Sequence, residues 1–119
     1  MGNPFVHLEL ATSDVAKAKE FYGKLFDWKL EDVPEMGYTM IGVGEGVGGG
    51  MMKNPVPNAP SHWLAYVEVD DVAAATKKAQ SLGATVCMDK TEIPEMGWFS
   101  VIQDPTGAAI AMWQMKAKK

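Results

Sequence analysis

The chain has 119 residues, 47% hydrophobic and 22% charged, with a formal net charge of −4. One globular domain with a small core of its own fits those totals. The acidic balance argues against a general nucleic-acid or anionic-membrane partner. No apolar run approaches the roughly 20 residues of a membrane span, and no basic-then-apolar leader opens the sequence. Cys87 is the single cysteine; it makes no internal disulfide, and a cytoplasmic protein is expected.

From Phe5 to Leu10 the side chains alternate as in a strand, with Phe5, His7 and Glu9 on one face and Val6, Leu8 and Leu10 on the other. Thr12, Ser13 and Asp14 then offer helix N-caps. Val15, Ala18, Phe21, Tyr22, Leu25 and Phe26 follow at helical spacing, which predicts a helix over 14–26. Strands are predicted over 28–32 and 38–43, joined by a turn at Pro34-Glu35-Met36-Gly37, and a short strand ends near Met51 or Met52. Asn54-Pro55-Val56-Pro57-Asn58-Ala59-Pro60 is a linker, since three prolines in seven residues exclude a regular helix or central strand. The order then recurs. A strand over 62–69 precedes a helix over 71–82 stopped by Gly83. Strands follow over 85–88, 98–103 and 108–115, with a turn at Asp104-Pro105-Thr106-Gly107.

Local sequence repeats as well as order. Val33-Pro34-Glu35-Met36-Gly37-Tyr38 returns as Ile93-Pro94-Glu95-Met96-Gly97-Trp98, and Asp14-Val15-Ala16-Lys17-Ala18 as Asp71-Val72-Ala73-Ala74-Ala75. Gly48-Gly49-Gly50-Met51 stands where Ala109-Ile110-Ala111-Met112 stands in the second copy. Two copies are too few for a solenoid. They predict an α+β chain of two tandem βαβββ modules: module 1 over about 4–53, the linker at 54–60, and module 2 over about 61–115. The seam between the copies is a natural place for a ligand.

Paired βαβββ modules, the Thr12-Ser13-Asp14 helix start, Phe21-Tyr22, Phe26-Asp27-Trp28, and Asp104-Pro105-x-Gly107 before the last strand resemble the vicinal oxygen chelate superfamily, the group of glyoxalase I, bleomycin resistance proteins and extradiol dioxygenases. The resemblance covers nearly the whole chain. It implies curled antiparallel sheets with helices on their outer faces, a ligand inside the cup, and a homodimer. In many such proteins it also implies a divalent metal held by up to four ligands from the cup strands. On the family pattern the first ligand falls at His7, seven residues before Asp14, and its second-half counterpart at Leu64. The last-strand ligand falls at Ala111, and its first-half partner near Gly50. One position keeps a donor and three do not, so the expectation is no metal or other cofactor, with a divalent ion as the minor alternative.

The residues open to chemistry follow from the strand faces. His7 and Glu9 form a polar pair on the cup face, as acid and base or as a hydrogen-bonded structural pair. His62, Leu64, Tyr66 and Glu68 share a face, making His62, Leu64 and Tyr66 candidate ligand contacts; a solvated His62 and a rim Glu68 are the plainer readings. Trp113 shares a face with Ala109 and Ala111 and could close an apolar wall over the space the alanines leave, or simply pack in the core. Met51, Met52, Met112 and Met115 read as core filler, Cys87 as a small buried hydrophobe, and Glu35 and Glu95 as rim carboxylates. Gly44-x-Gly46-x-x-Gly49 has dinucleotide spacing, but no helix follows it, so that reading is rejected. The chain is expected to bind a small, partly apolar molecule without metal. The alternatives are a lyase, isomerase or dioxygenase-type enzyme built around His7, and a dimeric interaction subunit.

Overall fold

The computed structural model describes residues 2–56 and 58–116. They fall into two compact units, residues 6–64 and residues 2–5 with 65–116. Each unit sets a helix against one face of a four-stranded mixed sheet, as the βαβββ order requires.

The first unit contains β1 (Phe5–Thr12), α1 (Val15–Leu25), β2 (Lys29–Val33), a 3-10 turn (Pro34–Met36), β3 (Tyr38–Gly42) and β4 (Gly49–Lys53). Asp14 caps α1, its side chain accepting from the Lys17 amide at 3.0 Å. The Phe26 amide closes the other end on the Tyr22 carbonyl. β1 pairs in parallel with β4, and β3 pairs antiparallel with both β4 and β2. Leu10, Ile41 and Met51 form the buried core against Val15, Ala18 and Tyr22 of the helix. Alternation therefore sends Leu10 towards α1 and turns His7 and Glu9 to the opposite face, away from the helix. Beyond β4, Asn54 anchors the linker: its side-chain amide donates to the Ala59 and Pro60 carbonyls, and its oxygen accepts from the Val56 amide.

β5 (His62–Glu68) begins in the last residues of the first unit. The second unit continues with α2 (Val72–Ser81), β6 (Thr85–Ile93), β7 (Gly97–Gln103) and β8 (Ala109–Met115). Asp71 repeats the capping role of Asp14, accepting from the Ala74 amide at 3.1 Å. β5 pairs in parallel with β8, and β7 pairs antiparallel with β8 and β6. Val72, Ile102 and Met112 form the core under α2. A buried polar pair lies beside it, Thr76 to Ser100 at 2.9 Å, and Thr76 also donates to the Val72 carbonyl.

Three expectations change. β6 runs over nine residues instead of four, because register irregularities between Val86 and Met88 and between Met88 and Thr91 bend it without ending its pairing. Cys87 is exposed, not buried, since it lies on that irregular outer strand. Met115 is also exposed, whereas Met51 and Met112 are core residues as expected.

A further difference concerns the repeat. Pro-Glu-Met-Gly forms a four-residue loop in the first unit, where Val33 pairs with Tyr38 and Gly37 is left-handed at φ 61°. In the second unit the same letters form a three-residue loop: Ile93 pairs with Gly97, and Glu95 takes the positive φ, 70°. The strands beyond the turn are thus offset by one residue relative to the echo. Tyr38 pairs with Met52, and in the second unit Phe99 pairs with Trp113. A one-residue shift reverses every side chain. Tyr38 faces away from the helix, while Trp98 packs with the core under α2.

Candidate functional site

The face of the first sheet turned away from α1 gathers three side chains from two strands. β1 supplies His7 and Glu9, and β3 supplies Tyr38. The Tyr38 hydroxyl lies 2.7 Å from His7 Nε2 and donates to Glu9 Oε2 at 2.8 Å. The two residues singled out on β1 are joined through a third that the repeat had masked. Glu9 is 8% exposed, and His7 and Tyr38 are half-buried. The His7 and Tyr38 rings stack at a centroid distance of 6.3 Å and an interplanar angle of 20°. Burial holds His7 below the ordinary histidine range, and the Glu9 charge acts in the opposite direction.

Gly50 explains how Tyr38 reaches that position. It pairs with Glu9 across β1–β4 and with Met40 across β3–β4. A Cβ on Gly50 would fall 2.1 Å from Tyr38 Cε2 and 2.2 Å from its hydroxyl oxygen. The ring therefore occupies the room that any side chain at position 50 would need. The resemblance sets one of its four metal-ligand positions near Gly50. His7 keeps a donor, but its Nε2 is engaged by the phenol. Leu64 and Ala111 are buried hydrocarbon. Among the described residues no cluster of three or more His, Cys, Asp or Glu side chains is placed to hold an ion. Such a donor set does not fit a divalent metal.

The remaining candidates divide. On the face of the second unit turned away from α2, Tyr66 pairs with Ala111, its ring lies 6.2 Å from that of Phe99, and Phe99 pairs with Trp113. Tyr66, Ala111 and Trp113 thus come together, joined by Phe99, which alternation along β7 could have placed there. Trp113 is accommodated by Gly97, whose added Cβ would meet its ring at 2.8 Å. His62 is exposed, and its Nδ1 lies 3.1 Å from the Pro60 carbonyl, as the solvated reading expects. Alternation along β3 is the signal that could have found Tyr38: Thr39 and Ile41 are the buried, helix-facing residues, so Tyr38 and Met40 share the face of Gly50 and Glu9. An apolar recess of about 40 Å³ beside Leu8, Trp28, Ile41 and Trp63 lies on the helix-facing side of β1. It is far smaller than the roughly 300–1,000 Å³ of a small-molecule pocket.

A model of the Glyoxalase/Bleomycin resistance protein/Dioxygenase superfamily matches residues 5–112. A protein of Mycobacterium tuberculosis described as "Putative glyoxylase CFP32" is 38% identical over 114 residues, which are 90% of this chain and 44% of that protein. The anthracycline biosynthesis protein DnrV of Streptomyces peucetius is 27% identical over 123 residues, 89% of this chain and 45% of its own. The chain therefore spans a little under half the length of these relatives. Among solved structures, hypothetical protein BH1468 from Bacillus halodurans aligns with a TM-score of 0.69 at 16% identity, covering 100% of this chain and 99% of that one. Methylmalonyl-CoA epimerase from Mycobacterium tuberculosis aligns with a TM-score of 0.67 at 15% identity, covering 95% and 88%. At those identities the likeness is one of fold.

Proposed function

The chain belongs to the Glyoxalase/Bleomycin resistance protein/Dioxygenase superfamily, and from that premise we propose that it binds a small, partly apolar molecule without a divalent metal, using His7, Tyr38 and Glu9 as the polar contact. The observation that carries this reading is the Tyr38 phenol between His7 and Glu9, in the space left by Gly50. It supports a centre that makes hydrogen bonds to a ligand where relatives of the fold can use an ion. The place of two relatives in anthracycline biosynthesis makes planar aromatic molecules the first class to screen.

A thermal-shift screen of aromatic and thiol-adduct ligands tests the reading. The expected result is a rise in midpoint with an aromatic class that is reduced in His7→Ala and Tyr38→Phe. No shift with any class overturns the binding role. Metal analysis tests the other half: stoichiometric, tight divalent-ion binding lost in His7→Ala overturns the metal-free reading. The same family reading carries a homodimer, checked by light scattering on the purified chain.

A second reading, a metal-free acid–base enzyme, is favoured by the same hydrogen-bond chain. An imidazole, a phenol and a carboxylate in series can take up and pass on a proton. Turnover of a ligand found in the screen, abolished in Glu9→Gln with binding retained, would favour the enzyme over a carrier.

A further inference from the structure

We infer that Tyr38 is a positioning residue that decides which nitrogen of His7 carries the proton, and that Gly50 is the position that allows it to do so. A phenol has one proton. At 2.8 Å from Glu9 Oε2, that proton goes to the carboxylate, which can only accept. Towards His7, 2.7 Å away, the phenol oxygen therefore accepts, and Nε2 must donate. Neutral His7 is held as the Nε2–H tautomer, with its lone pair on Nδ1.

The consequence is a directed path. If the ring gains a proton at Nδ1, the Nε2 proton can move to the Tyr38 oxygen and the phenol proton to Glu9 Oε2. One proton enters at Nδ1, one arrives on the carboxylate, and Tyr38 ends neutral. The arrangement depends on where the ring sits. With a Cβ at position 50 only 2.2 Å from the hydroxyl oxygen, the phenol could not stand between His7 and Glu9. Gly50 thus acts through Tyr38, and Tyr38 through His7.

The inference deepens the metal-free reading and rests on it, because an ion at Nε2 would displace the proton. The test is long-range ¹⁵N–¹H correlation of the imidazole nitrogens at about pH 8, where neutral histidine dominates. The chain has only two histidines, so His62→Gln assigns the spectrum. The expected result is His7 as Nε2–H in the wild-type protein. In Tyr38→Phe the ratio of Nε2–H to Nδ1–H should fall by about tenfold, the equivalent of about 1.4 kcal/mol. Gly50→Ala should reproduce that change. If Gly50→Ala fails to fold, Tyr38→Phe, which removes one oxygen and no ring volume, carries the test alone. A wild-type Nδ1–H tautomer, or a ratio unmoved in Tyr38→Phe, overturns the inference and leaves the metal-free reading standing. One equivalent of Zn²⁺ added to the wild-type protein separates the two: a shift of His7 Nε2 overturns the metal-free reading and this inference with it, and an unchanged spectrum supports both.

Discussion

Gly50→Ala adds a single methyl group, and its effect can be worked from three distances. The new Cβ would lie 2.1 Å from Tyr38 Cε2, 2.2 Å from the hydroxyl oxygen and 2.3 Å from Cζ. Carbon–carbon contacts prefer about 3.5–4.0 Å, so the ring must move by more than an ångström. That movement breaks the bonds to His7 at 2.7 Å and Glu9 at 2.8 Å. Overpacking costs about 1–3 kcal/mol. Losing the phenol leaves the buried Glu9 carboxylate without one partner, at about 1.5–3 kcal/mol. Together they give an expected loss of about 2.5–6 kcal/mol. In a Tyr38→Ala background the obstruction is gone, and alanine in place of strand glycine should be favourable by about 0.5–1 kcal/mol. Urea denaturation of the four proteins of this cycle measures the coupling, expected to be about 3 kcal/mol or more. If Gly50→Ala costs as much without Tyr38 as with it, the glycine serves the backbone, and the account of the site given above is wrong.

Three further outcomes follow. Gly97→Ala places a Cβ 2.2 Å from the Gln114 carbonyl oxygen as well as 2.8 Å from Trp113; a strand backbone cannot rotate aside, so Trp113→Ala should not rescue it in the same denaturation assay, and full rescue would contradict the β7–β8 register. Because burial lowers the His7 pKa from 6.5, the unfolded chain takes up a proton before the folded protein as pH falls; stability is fully present above about pH 6.5 and is lost on descending through it, so the thermal midpoint should decline towards pH 5 less steeply in His7→Gln, and equal slopes would refute this. Exposed Cys87 should react with Ellman's reagent in the native protein at one equivalent, with protection until unfolding as the contrary result.

Much of the fold was legible because local chemistry decided it. Asp14 and Asp71 cap helices where the sequence put helix starts, and Asp104 accepts from the Thr106 and Ala108 amides at the expected turn. The site was legible only in part. Period-2 alternation placed His7 with Glu9, and Tyr66 with Ala111 and Trp113 by face. Tyr38 was hidden by its own repeat, because its match to Trp98 suggested equivalence where the two strands run one residue out of step. The length of β6 was missed for a related reason: bulges interrupt alternation while pairing continues.

The sequence by itself determined the element order, the helix caps, the linker and the family, since each depends on spacing along the chain. It also showed that three of the four family ligand positions lack a donor. Only the tertiary structure decided what stands in their place. The same Pro-Glu-Met-Gly turn closes over four residues once and three residues once, so the turn's own letters do not set the register; Gly50 and Gly97 leave the room that Tyr38 and Trp113 fill in the two arrangements. That one-residue difference carries Tyr38 to the face away from the helix and Trp98 to the core, and so determines that a phenol bridges His7 and Glu9.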